Sequence, residues 1–361
     1  MAPLDEFDAA DGYSSLEALG EARDRIEIET LPSAYRPDKF LKALPSVSRL
    51  MKAKIKDSRW LCFAIGGLFG DWGSVAAIHA RGMGKSYAVW TDKVESEVAR
   101  KMSETSKGKS ALRARLTHRP MALLERYVIS GSSLGLFHGR ETYDAYHRFS
   151  KEPHLVHNIH LKEEDQISHE ELHVKVAQAQ KGPLRILYAG RVAPEKGPMD
   201  WLQTLRQLKN LEVPFEAIWI GGGSLLSEFR SNISRYGLEG CVSAPGRIDD
   251  RNEVLQHYRW ANVFMFCHLT AESPRCLIEA LKSGAPIVGY ESAYPRDLIS
   301  HNKGGRLTDR GDVDQLAKAV VDLNRDRTSL SELILAAAAD GLPFSDANVF
   351  RHRADLIKAF T

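Results

Sequence analysis

Several things are missing from this chain, and each absence excludes a class. Its 361 residues contain no apolar run of about 18, so no segment reads as a membrane-spanning helix. Cysteine is scarce, with Cys62, Cys241, Cys267 and Cys276 far apart and none in a CxxC spacing. That excludes a zinc ribbon or a disulfide framework and leaves buried free thiols as the expectation. Charge of one sign is missing too: 49 basic residues stand against 47 acidic, a net of +2. No bulk electrostatic footprint for nucleic acid follows from that balance. The basic run RARLTHRP, around Arg113–Arg119, reads as a solvated helix face or loop rather than a membrane patch. Internal repeats and low-complexity tracts are absent. The opening MAPLDEFDAADGYSS is acidic and polar, the opposite of a secretory leader, so a cytoplasmic protein is expected.

What the chain does have is an end-to-end alternation of strand and helix signals. At 361 residues it is too long for one compact core, and the alternation argues α/β with parallel sheets in two domains. In the first half RIEIETL, WLCFAIG, SYAVWTD and SSLGLFHG read as strands. Between them lie an amphipathic helix from Pro37, broken at Pro45, and helices at Trp72–Arg81, at VESEVARKM and at ETYDAYHRF. No obvious apolar strand precedes Arg25. A polar stretch, Lys162–Pro183, is the expected interdomain link. The second half restarts with RILYAG and runs through FEAIWIGGG, CVSAPG, NVFMFCH and PIVGY, each followed by a helix. The expected domains are 1–170 and 171–340, with a terminal helix over 341–361 packing back toward the first.

Four strand-end turns in the second half carry the chemistry, because ligands in open α/β sheets bind beyond the carboxyl ends of strands. GRVAPEKG supplies Arg191 and Lys196 in a glycine turn, charge suited to phosphate. IGGGS, with Gly222 and Gly223, offers bare backbone for a close approach. APGRID, with Arg247 and Ile248, is a third turn whose main chain suits a base edge. ESPRCLIEAL places Pro274, Arg275 and Cys276 at a helix start with free N–H groups, and Glu279 about two turns inside. Glu272 stands just ahead of that helix. Cations at one strand end and carboxylates at another are what a sugar nucleotide needs, for its diphosphate and its hydroxyls.

Taken in order, GRVAPEKG, IGGGS, APGRIDD and ESPRCLIEAL followed by SGAPIVGY resemble the donor-binding domain of retaining glycosyltransferases of family 4. That resemblance covers roughly residues 184–325; over 25–160 it extends only to the strand–helix rhythm. It implies the GT-B fold, two Rossmann-like parallel-sheet domains facing a cleft. It implies that Arg191 and Lys196 hold the donor diphosphate and that Glu279 accepts from the ribose. Arg247 and Ile248 would face the base, and Glu272 would sit by the transferred hexose. Six residues separate Glu272 from Glu279, where the family usually has seven, so in helix register Ala271 takes the usual first position.

The resemblance further implies a hexosyltransferase needing no metal or other cofactor, acting in polysaccharide biosynthesis. Its expected partners are a nucleotide-sugar donor and a glycan or lipid-linked acceptor. No nucleic acid is expected; peripheral association at the inner face of the membrane is. In the first half, Asp92 at the end of VWTD is the catalytic-side expectation, with N-capping of the next helix as its structural alternative. Asp71 and Trp72 in GGLFGDWG, and His138 in FHGRE, are expected on the acceptor side. GMGKS resembles the tail of a P-loop but has His79 where a glycine is required, and a strand follows it; it is read as a helix–strand turn. The alternatives are a GT-B epimerase and a non-catalytic partner subunit that binds a nucleotide or glycan.

Overall fold

The computed structural model describes residues 2–4, 26–105 and 108–361. The chain divides into two compact units. The first comprises 1–136, 146–153 and 357–361, and the second 137–145 and 154–356. In the first, a short parallel pair joins β1 (Ala2–Leu4) to β2 (Thr30–Pro32), so the RIEIETL strand shrinks to its last residues. Helix α1 (Pro37–Asp57) follows and runs through Pro45 without a break. Then come β3 (Cys62–Ala64), α2 (Trp72–Gly82), β4 (Ala88–Thr91), α3 (Glu95–Thr105), α4 (Lys109–Gly131) and β5 (Leu134–His138). Strand β6 (Pro153–Val156) completes a sheet of order β3-β4-β5-β6, and helix α5 (Gly139–Tyr146) is grouped almost wholly with the second unit. Cys62 lies exposed on β3 and only Cys267 is fully buried, which corrects the expectation of four buried thiols.

Lys162–Pro183 is not a linker. Ser168 caps α6 (His169–Ala179): its hydroxyl accepts from Glu171 N, and the Glu171 carboxylate accepts from Ser168 N. Lys175 of α6 is buried, donating to the carbonyls of Tyr258 and Ser283 at 3.1 and 2.9 Å. Both carbonyls lie at helix C-terminal ends, where the dipole favours a cation. Polar composition concealed a capped helix with a core-facing edge.

The second unit continues with β7 (Leu184–Ala189), α7 (Pro198–Asn210), β8 (Phe215–Ile220), α8 (Leu226–Arg235), β9 (Val242–Gly246) and α9 (Arg251–Trp260). After these come β10 (Val263–Phe266), α10 (Arg275–Lys282), β11 (Ile287–Tyr290), α11 (Ala293–Leu298) and β12 (Gly305–Thr308). Helices α12 (Val313–Arg325), α13 (Arg327–Gly341) and α14 (Asp346–Phe360) end the chain. All strands pair in parallel, in the order β12-β11-β10-β7-β8-β9. Leu187, Tyr188, Val263 and Phe264 are fully buried, which is why these strands read as unbroken apolar runs rather than alternating ones. Trp201, Leu202, Leu205 and Leu208 present one face of α7 to that core at helical spacing. The order reverses at β7: later strands are added on one side through β8 and on the other through β10. A crevice between the carboxyl ends of β7 and β10 is therefore the topological switch point.

His157, just after β6, meets Phe344 edge-on at 4.8 Å between centroids, and its enclosed Nδ1 has no hydrogen-bond partner among the described residues. Burial, aided by His138 and His352, pushes its pKa down to about 3. Above the unfolded value of 6.5 both states are neutral and pH has no effect. As pH falls below 6.5 the unfolded chain takes the proton first, and stability is lost until pH nears 3. The loss is at most about 1.4 kcal/mol per pH unit, less for a ring that is only partly enclosed. His157→Phe keeps the aromatic contact and should flatten the fall in urea midpoint between pH 6.5 and 5; an unchanged slope would assign the acid sensitivity elsewhere.

Candidate functional site

The switch point is where the charged side chains converge. After β7 the chain passes Gly190, Arg191 and a buried Val192, makes a 3-10 turn at Pro194–Lys196, and enters α7 through Gly197. Gly197 adopts φ +61°, a left-handed conformation that costs any other residue about 1–2 kcal/mol. A Cβ there would lie 2.1 Å from the Cys267 carbonyl oxygen, so the turn is pressed against the end of β10. The Glu195 carbonyl also accepts from Leu269 N at 2.9 Å. This seating brings Lys196 Nζ to 2.7 Å from Glu272 Oε1, with both side chains largely buried. Despite the shortened loop, Glu272 reaches the cation. Among the described residues Arg191 pairs with its neighbour Glu195, at 3.2 Å, and is mostly exposed.

Two residues that the sequence reading did not single out support this pair. His268 Nδ1 lies 3.9 Å from Glu272 Oε1, and its Nε2 is 2.8 Å from the Tyr188 hydroxyl. Burial, then the Lys196 and Arg310 cations, hold the His268 pKa well below its ordinary value, so the ring is neutral. Nothing in local pattern marks either residue, because both lie within apolar strands or at their ends.

Behind them α10 begins at Arg275 with no side-chain cap; Leu277 N donates to the Pro274 carbonyl at 3.3 Å, and the N–H groups ahead of it are of the kind that suits an anion. Arg275 itself is exposed. Burial pushes the Cys276 thiol up to about 12, which removes it as a nucleophile. Glu279 lies little more than one turn into α10 rather than two. Its Oε2 accepts from the Tyr258 hydroxyl at 2.8 Å, and Tyr258 is buried at the end of α9. The glycines after β8 are stitched to the turn after β7: Val192 N donates to the Gly222 carbonyl at 2.8 Å and Leu225 N to the Val192 carbonyl at 3.1 Å. Gly223 has φ +148°, and a Cβ there would be 2.4 Å from Val192 O, so the close approach is made to the chain's own backbone. Arg247 pairs with Asp249 at 2.6 Å, and Ile248 packs against the core.

The three residues expected on the acceptor side are each engaged by other parts of the chain. Asp71 is nearly buried and caps α2: it accepts from Ser74 N at 2.9 Å and Gly66 N at 3.1 Å, and also from the Ser74 hydroxyl. Burial is the largest influence on its pKa, which is raised despite those bonds. Trp72 is buried too, its indole donating to the Pro32 carbonyl at 2.9 Å and its ring stacked on Phe40, so it has no free face for a sugar. His138 belongs to the second unit, where its Nε2 lies 3.1 Å from the Ser273 carbonyl. Ser273 Oγ returns a hydrogen bond to the His138 carbonyl at 3.0 Å. These two bonds clamp the loop that carries Glu272. Asp92 is exposed in the turn after β4; since α3 starts at Glu95, it does not cap that helix.

Residues 169–339 match the family model described as glycosyl transferases group 1. This part of the chain is similar to group 1 glycosyltransferases. Among curated proteins, the chain is similar to the amylovoran biosynthesis glycosyltransferase AmsK of Erwinia amylovora. Identity is 30% over 199 residues, 53% of this chain and 49% of that protein. The putative colanic acid biosynthesis glycosyltransferase WcaL of Salmonella typhimurium is 28% identical over 162 residues, 43% of this chain and 40% of that protein. The chain thus spans half or less of the length of these two relatives. Among solved structures, Anabaena Alr3699/HepE, determined in complex with UDP, superposes with a TM-score of 0.68. That match covers 95% of this chain and 88% of the other at 16% identity. Together with the two parallel-sheet units, the likeness shows the GT-B fold. The matched segment holds Arg191, Lys196, Glu272 and Arg275 on loops or a helix start at the carboxyl ends of its strands, and Glu279 just over one turn into α10.

Proposed function

We propose that the chain is a retaining hexosyltransferase, which moves a sugar from a nucleotide donor to a glycan or lipid-linked acceptor in polysaccharide biosynthesis. The observation that carries this reading is the Lys196–Glu272 pair, set at the switch point beside an uncapped helix N-terminus. A diphosphate there meets Lys196, Arg191 and the first N–H groups of α10, so the protein supplies the positive charge that a metal would otherwise provide. The glycosyl C1–O bond to the diphosphate breaks as the acceptor oxygen bonds to C1 on the same face. The acceptor proton passes to the departing phosphate, and the products are a nucleoside diphosphate and a glycoside. Glu272 would lie by the hexose, and Gly222, Gly223, Arg247 and Ile248 near the nucleotide. Asp92 is the first-unit carboxylate proposed to act on the acceptor.

Glu279 is proposed to accept from the ribose hydroxyls through Oε1, because Tyr258 already occupies Oε2. Converting it to an amide removes the charged acceptor, so Glu279→Gln should raise the donor KM about tenfold or more with a smaller change in kcat. The measurement is nucleotide release across a panel of UDP-, GDP- and ADP-sugars. Proton NMR of the first-formed product reads the anomeric configuration. An inverted anomer would overturn retention. Nucleotide binding with no turnover on any donor would point to a non-catalytic subunit.

A further inference from the structure

Glu272 has a counter-ion in Lys196 but lacks a directed hydrogen-bond donor. The ammonium stands 2.7 Å from Oε1, yet not along a hydrogen-bond direction, so this enclosed oxygen has no such bond among the described residues. His268 Nδ1 lies 3.9 Å from the same oxygen, about 1 Å beyond hydrogen-bond length. The His268 ring is buried just past β10, against Phe266 and Tyr188 at 5.3 and 5.7 Å between centroids. Its Nε2 is tied to the Tyr188 hydroxyl at 2.8 Å. Tyr188 is itself fully buried, with its ring 4.1 Å from that of Trp219. A Cβ on Gly190 would lie 2.8 Å from the Tyr188 hydroxyl, so that hydroxyl sits against the turn leading to Lys196.

A neutral imidazole carries one N–H and one acceptor nitrogen. With the proton on Nε2, Tyr188 would accept, and the Nδ1 lone pair would face the Glu272 carboxylate. Two acceptors would then confront each other in a buried place, at the cost of an unmade bond. With the proton on Nδ1, the Tyr188 O–H donates to Nε2 and the ring N–H faces Glu272. The second arrangement pairs every group.

From this geometry we infer that His268 is a positioning residue for Glu272, held by Tyr188 in its Nδ1–H form to receive the carboxylate when Lys196 turns to the donor diphosphate. The inference rests on the donor site proposed above. A diphosphate that takes the Lys196 ammonium leaves a largely buried carboxylate without its counter-ion, which is a costly state. A shift of Oε1 by about 1 Å toward Nδ1 gives it a directed donor instead. The new partner is neutral, so Glu272 keeps its full charge while its direction is fixed by a ring that cannot drift. Ser273 is clamped to His138 and holds the main chain of this loop, so the side chain alone has to move.

Nitrogen-15 NMR of the 361-residue chain labelled at histidine reads the tautomer, with His268→Asn identifying the signal. The proton is expected on Nδ1, and addition of UDP, GDP or ADP should move it downfield as the bond to Glu272 shortens. In kinetics, His268→Ala should lower kcat for donor hydrolysis by about 10- to 100-fold, with donor KM and nucleotide affinity within about twofold. His268→Asn, whose amide N–H can stand where Nδ1–H does, should recover much of that loss. Tyr188→Phe preserves the ring packing and should also lower kcat, which reads the same step if the alanine variant is unstable. A proton on Nε2, or equal kcat for the alanine and asparagine variants, would overturn the inference. Nucleotide binding that leaves Nδ1 unmoved would overturn the exchange of partners alone. A chain that binds none of the three nucleotides would remove the donor site and the exchange together.

Discussion

Lys196→Ala is expected to lower nucleotide release from any donor the enzyme accepts by about 10²–10³-fold, the usual cost of deleting one preorganised donor to a developing charge. Lys196 is held by the turn after β7 and lies 2.7 Å from Glu272, so it needs little reorganisation to meet a diphosphate at the switch point. On the proposed reading, a diphosphate arriving there would compete with Glu272 for the same ammonium. The substitution also strips Glu272 of its counter-ion, so thermal midpoints must be compared alongside activity. Lys196→Arg, which keeps the charge on a longer stem, should recover part of the rate. Release within about threefold of the parent enzyme would remove Lys196 from the phosphate site, and with it the main support for the proposed chemistry.

Gly197→Ala should be the most damaging small substitution in the second unit. The left-handed backbone conformation costs about 1–2 kcal/mol, and the new methyl would meet a buried main-chain carbonyl that cannot swing aside. A total of about 3 kcal/mol or more is expected, a fall in melting temperature on the order of 10 °C for a domain of this size. The clash lies between the Lys196 turn and the end of β10, so nucleotide affinity should fall with it. A melt and a nucleotide titration on the same sample check both effects. An unaltered melt would mean that the turn does not rest on Cys267.

Much of this architecture was legible in local pattern. RILYAG, FEAIWI, VFMF and PIVGY all became strands of the second sheet, because residues buried on both faces leave continuous apolar runs. The helix beginning near Pro274 was readable from proline and amphipathicity. By contrast, Lys162–Pro183 has the composition of a link although it folds as α6, since that helix packs only a small edge that includes a lysine. Asp71 and Trp72 were drawn toward an acceptor because aspartate and tryptophan at a strand end suit a ligand as well as they suit a cap and a core. Only the bonds to Ser74, Gly66 and Pro32 separate the two. His138 ends β5 of the four-stranded sheet yet is grouped with the second unit, because its partner, Ser273, is 135 residues away.

By itself the sequence determined the class, the alternation of elements and the strand-end motifs, because periodicity, glycine turns and helix starts are short-range properties. Tertiary structure decided which of those polar groups remain available for chemistry. A carboxylate already filled by backbone N–H groups is a cap, whereas one left against a lysine at a switch point is a site, and that difference is made by neighbours distant in the chain.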